Sequence, residues 1–147
     1  MTPTFALLKA QKVDFSTSIV TPKNTTESAP LETRLTLSRG IINGGFIYFP
    51  SGPSALLHVQ IYAGALQIAP VNRNASFSLD NCVMPLSIFY NLYDPPYQIT
   101  MRTWNTSTTY DHFCAVTLWL KEMKDQALGN KFVTRDWGAY ASQALNG

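Results

Sequence analysis

The best candidate for chemistry in this chain is Asp111-His112-Phe113-Cys114. On a β-strand, residues two apart share a face, so His112 and Cys114 would bring an imidazole beside a thiol, the pairing that activates a cysteine nucleophile. Cys114 sits, however, in the apolar run Phe113 to Leu120, where a thiol usually behaves as a small hydrophobe and His112 hydrogen-bonds at a strand entrance. No Cys-x-x-Cys, His-x-His or His-Glu-x-x-His occurs, and the carboxylates do not cluster, so neither a metal nor any other cofactor is expected. Asp80, Asp94 and Asp111 lie near loops without the paired arrangement of a glycosidase. The glycines between Gly40 and Gly45 precede a strand and not a helix, so they build turns and no phosphate cradle. The expectation is a protein that is not an enzyme.

Exposed aromatics are the remaining signal. Tyr90, Tyr93, Tyr97, Trp104 and Tyr110 are read as crowding two neighbouring loops, where aromatic faces flanked by Asn and Asp suit a saccharide or a protein surface. Cys82 and Cys114 stand in apolar surroundings and are expected as free thiols, a disulfide being the alternative. Asn24, Asn74 and Asn105 each begin an Asn-x-Ser/Thr tripeptide, which matters only on a secretory route.

The elements that would position these residues are strands. Gly40 to Gly64 holds two apolar runs apart by a Pro50-Ser51-Gly52-Pro53 turn, and Leu31 to Ser38 alternates apolar and polar residues. Similar runs recur at Leu66 to Ile68, Ala75 to Leu79, Cys82 to Tyr90, Tyr97 to Trp104 and Phe113 to Leu120, about ten residues apart with Pro, Gly or Asn between them. Pro85 assigns part of its run to an edge or bulge. Both faces of the last run are apolar, which places it centrally or beneath the tail. The pattern predicts an all-β chain: an antiparallel β-sandwich, a jelly roll of about eight strands, with an immunoglobulin-like sandwich as the alternative.

Residues 1–30 are read as an N-terminal arm or strand with a polar linker, 31–121 as the sandwich, and 122–147 as a tail with a short helix. In the arm, Val13, Phe15, Thr17 and Ile19 alternate with polar positions, fitting a strand on a sheet edge of its own or a neighbouring copy. In the tail, Trp137, Tyr140, Ala141 and Ala144 fall on one helical face. Candidate interface or ligand-binding residues are therefore Phe15, Ile19, Tyr93, Tyr97, Trp104, Tyr110, Trp137 and Tyr140.

Composition narrows the function classes. Only 14% of the 147 residues are charged, where soluble domains average about 25%, and this fits a surface partly covered by neighbours. Net charge is +2 with scattered Lys and Arg, so direct nucleic-acid binding is not expected. No apolar run reaches the ~20 residues that span a bilayer, and the first residues lack the apolar core of a secretion signal, so synthesis in the cytoplasm is expected.

The segments Leu37 to Ile42, Phe49 to Pro53, His58 to Ile61, Gln67 to Pro70, Pro95-Pro96-Tyr97, Trp104-Asn105 and Tyr110 to His112 resemble small jelly-roll virion proteins of tailed phages and related viruses. The resemblance implies a β-sandwich, a place in the virion, and partners that are copies of the chain and other virion proteins. It directs the functional expectation to a capsid, capsid-decorating or vertex component acting by self-assembly or lattice docking. The alternative is a β-sandwich module that binds a glycan or a host receptor.

Overall fold

The computed structural model describes residues 11–122, and every described element is a strand. In chain order these are β1 (Gln11–Thr21), β2 (Leu31–Thr36), β3 (Gly40–Phe49), β4 (Leu57–Ala63), β5 (Leu66–Ala69), β6 (Cys82–Leu86), β7 (Tyr90–Leu92), β8 (Gln98–Asn105) and β9 (His112–Glu122). They form two antiparallel sheets. The five-stranded sheet runs β1-β9-β3-β6, with β7 also on β3, and the four-stranded sheet runs β2-β8-β4-β5.

The pairings nest: β1 with β9, β2 with β8, β3 with β6 and β7, β4 with β5. One long antiparallel ribbon rolled over itself produces that order, which is the jelly roll and not the immunoglobulin-like alternative. The ninth strand arises because the edge run, which carries Pro85, breaks between Leu86 and Tyr90 into two short strands that share β3 on either side of Ile42 to Gly45.

Alternation decides what fills the core. Ile42, Ile47, Phe49, Val116, Leu118 and Leu120 point inward from the five-stranded sheet, and Leu57, Val59, Ile61, Ile99 and Met101 meet them from the other; all are wholly buried. β3 carries a bulge between Ile42 and Gly45 where it pairs with β9. Gly44 and Gly45 adopt positive φ there, and a Cβ at Gly44 would lie 3.0 Å from the Trp119 ring while one at Gly45 would collide with the Thr117 carbonyl.

Two sequence expectations change, and one is untested. The sandwich begins at β1 and not at Leu31, because β1 pairs residue for residue with β9 from Gln11 to Thr21. The segment Ala75 to Leu79 is not a strand: Phe77 makes a single bridge to Val59, with both backbone bonds at 2.9 Å. The tail helix, with Trp137 and Tyr140, lies outside the described residues.

Candidate functional site

Four connections meet at one end of the sandwich: residues 22–30, 50–56, 70–81 and 106–111. Their backbones bond across, Asn24 N–H to the Ser107 carbonyl at 2.9 Å and Thr106 N–H to the Leu56 carbonyl at 3.0 Å. Asn105, wholly buried at the end of β8, ties the end of β1 to the 106–111 connection. Its Nδ2 donates to the Thr21 and Tyr110 carbonyls, each at 3.0 Å, and its Oδ1 accepts the Ser107 N–H at 3.0 Å. Asp80 does a similar job at the surface, its Oδ1 accepting the Gly52 and Ser54 N–H groups at 2.9 Å. Those bonds, from Ser54 and then Gly52, hold its carboxyl below the usual range.

At this end the suspected catalytic set does not assemble as a nucleophile site. His112 and Cys114 do share a face, but it is the inner one, opposite Thr21 and Ile19 of β1. Burial pushes the Cys114 thiol up to about 12, so at neutral pH it is a protonated thiol. Asp111 is turned to the surface, where its Oδ1 accepts the Lys23 N–H at 2.9 Å. Cys82 and Cys114 are both free. Among the described residues no three His, Cys, Asp or Glu side chains gather as a metal site.

The aromatic cluster read from the sequence is divided. Tyr97 and Trp104 flank β8 at opposite ends, seven residues and therefore roughly 23 Å apart. Tyr93 is exposed beside the Arg39 guanidinium, 4.9 Å from its ring, and Tyr97 is half-buried against the core. Trp104 is buried, stacked flat on His58 at 5.0 Å, while Tyr110 stands in solvent. Phe15 and Ile19 face the core of their own sandwich. None of these four regions makes a common site.

The outer face of the four-stranded sheet is polar and partly covered by its own chain. His58 accepts or donates one bond with Ser76 at 2.9 Å, and Gln60 and Gln67 donate to the Ala75 carbonyl at 2.9 and 3.0 Å, holding residues 70–76 over the sheet. Burial lowers the His58 pKa, against the opposing pull of Glu27. Beyond the loop is an open trough of about 390 Å³ whose lining includes Glu32, Arg34, Tyr62, Asp94, Thr100 and Arg102. Arg102 lies 4.2 Å over the Tyr62 ring and meets Glu32 at 3.1 Å.

The outer face of the five-stranded sheet is different in kind. Register places Ser18, Ala115, Tyr48 and Val83 in one row across β1, β9, β3 and β6, and Ser16, Thr117, Phe46 and Pro85 in the next. Val20 and Phe113 extend the first side of this face, and Trp119 packs edge-on to Phe46 at 6.2 Å on the other. Neither central row contains a charge; Lys12, Asp14 and Lys121 stand only at the β1 start, with Lys12 over Trp119 at 5.0 Å. Tyr48, Val83 and Val20 are 41%, 55% and 59% exposed. Between Val20 and the charged β1 start the face is uncharged, its apolar residues interleaved with Ser16, Ser18 and Thr117. Sequence reasoning missed Tyr48 and Val83 here, although the two-sided apolar pattern of β9 pointed to the face they share.

No protein-family model and no curated protein matches the sequence. Among solved structures the chain is similar to one in the cyanophage Pam1 capsid asymmetric unit, at 16% identity, covering 76% of this chain and 86% of that one with a TM-score of 0.45. Among the described residues no helix is long and apolar enough to cross a membrane.

Proposed function

We propose that this protein is a virion structural component, in a capsid, capsid-decorating or vertex position, that works by associating with copies of itself on a symmetric lattice. The observation that carries the reading is the pair of charge-free central rows on the outer face of the five-stranded sheet, where Tyr48 and Val83, with Val20 beside them, remain in water. Covering that face removes apolar area at roughly 25 cal/mol per Å², which supplies a driving force for association. The resemblance of the turn and strand motifs to virion jelly rolls supplies the setting. Native mass by light scattering on a sizing column, with electron microscopy of the same fractions, tests it. A closed symmetric oligomer or shell is expected, and a monomer at every concentration would overturn self-association.

A second reading is favoured by the trough on the other sheet. Arg34, Asp94 and Thr100 offer donors and acceptors beside the Tyr62 ring, a combination suited to the hydroxyls and apolar face of a neutral saccharide. A glycan screen that shows binding by the wild type, lost in Arg102→Ala, is the outcome this reading requires; no binding by the wild type would dismiss it.

A further inference from the structure

The edges of the two sheets are not alike. β2 has six residues and carries Glu32 and Arg34 outward, β5 has only four residues, and β6 has five with Pro85 among them. Short length, charge and proline are what keep a sheet edge from pairing with another chain. β1 has eleven residues and no proline, and its register runs without a bulge from Gln11 opposite Glu122 to Thr21 opposite His112. Its charges, Lys12 and Asp14, stand at its start, and Phe15 to Thr21 has none.

Among the described residues no strand pairs with the side of β1 away from β9. Along that side alternate residues point their backbone N–H and C=O groups away from the sheet, a row whose spacing an extended chain matches. Val13 and Phe15 pack on the core from this edge and remain half-buried.

We infer that β1 pairs antiparallel with β1 of a second copy about a two-fold axis at Ser16, joining the two five-stranded sheets into one continuous sheet. The inference goes beyond the face contact proposed above and does not require it. A second copy is the occupant that the strand itself selects. Of the edges only β1 matches β1 in length, and the register centred on Ser16 is the one that pairs all of its residues. In that register Lys12 faces Val20, Asp14 faces Ser18 and Phe15 faces Thr17, so no charge meets a like charge. Registers that set Lys12 against Lys12 or Asp14 against Asp14 leave the far end of the strand unpaired. Opposed residues also share a face, so the inward row of one copy continues into that of the other. On the outside, the uncharged row Ser16, Thr117, Phe46 and Pro85 runs on into its own copy. The contact uses one patch twice and closes with two copies.

The test uses the full chain and reads dimer dissociation by sedimentation across a concentration series. Ser16 is exposed, and at the axis it faces itself. Ser16→Lys and Ser16→Glu should each weaken the dimer about two- to fivefold, because like charges then stand directly opposite. An equal mixture of the two should associate more tightly than either alone. Ser16→Pro and Thr17→Pro separate the edge from the fold. Neighbouring residues of a strand send their N–H groups to opposite sides, so one proline removes a bond to β9 and the other only an outward donor. The variant whose thermal midpoint stays closer to wild type is the outward one. It should weaken the dimer by more than about tenfold, since the axis removes that donor twice. Tyr48→Glu, on the face, should leave the dimer intact.

A dimer indifferent to the outward proline would overturn the inference, and so would a Lys and Glu mixture no tighter than the single variants. Association lost with Tyr48→Glu but kept with the outward proline would overturn the edge pairing and leave the face contact standing. A wild type that is monomeric at every concentration would overturn both.

Discussion

Replacing Asn105 with Ala should unfasten the loop end of the sandwich at a cost set by three hydrogen bonds. The change strands the Thr21 carbonyl and the Ser107 N–H, both in buried residues, while the Tyr110 carbonyl belongs to an exposed residue and can turn to water. An unpaired buried group costs about 1–3 kcal/mol, and the small void adds to it, for a total of about 3–5 kcal/mol. Domains of this kind have about 5–15 kcal/mol in all. With a urea slope of about 2 kcal/mol/M the unfolding midpoint should fall by about 2 M. Asn105→Asp keeps the shape and the Oδ1 acceptor but turns an oxygen toward two carbonyls, so it should be at least as damaging. Asn91→Ala, exposed on the edge strand β7, is the control and should cost under about 1 kcal/mol. A midpoint shift for Asn105→Ala below about 0.5 M would refute the role assigned to its amide. The same geometry implies that folded protein carries no glycan at Asn105, although it opens an Asn-x-Ser tripeptide, because both of its amide hydrogens are already engaged.

Asp80 should give the sandwich a pH dependence of known sign. Its folded pKa is depressed, so the stabilisation is present above the unfolded value of about 3.9 and disappears as pH falls through the lower folded value. Thermal midpoints of the wild type and Asp80→Asn should differ near pH 6 and converge near about pH 2; a constant gap would refute the assignment. The cysteines should differ in reactivity. A thiol reagent at pH 8 should modify the half-buried Cys82 first, and Cys114 only after denaturant unfolds the core, as mass mapping of the labelled peptides would show; rapid native labelling of Cys114 would contradict its burial.

Strand alternation made much of the architecture legible. Leu31 to Leu37 and Leu57 to Ile61 put their apolar residues inward as their pattern required, and Pro85 correctly marked an edge. What the pattern could not express was pairing. β1 was separated from the sandwich because nothing local shows that Val13 to Thr21 lies against Leu120 to His112, about a hundred residues away. Trp104 and Tyr97 looked like loop neighbours because the six residues of strand between them have no length in a linear reading. The value of Asn105 was equally hidden: an Asn after a strand reads as a turn residue, and only the approach of the β1 end to residues 106–111 turns its amide into a buried fastener.

The low charge of the chain also changes meaning once register is known. As composition it describes a neutral surface everywhere, yet the structure distributes charge unevenly. Glu32, Arg34 and Arg102 stand on the outer face of the four-stranded sheet, where they pair with each other or meet water. Across the five-stranded sheet the same outward positions are Ser18, Ala115, Tyr48 and Val83, then Ser16, Thr117, Phe46 and Pro85. Sheets that face water on one side alternate apolar inward with polar outward, and the first of these sheets obeys that rule. The second departs from it at Ala115, Val83, Phe46 and Pro85, while Ser16, Ser18, Thr117, Lys12 and Lys121 keep it. On the self-association proposed above, such a face would be covered as copies accumulate. Its neutrality sets the expected response to salt: with no charge to screen in the two central rows, association through this face should depend little on ionic strength and should weaken on cooling, as apolar contacts do.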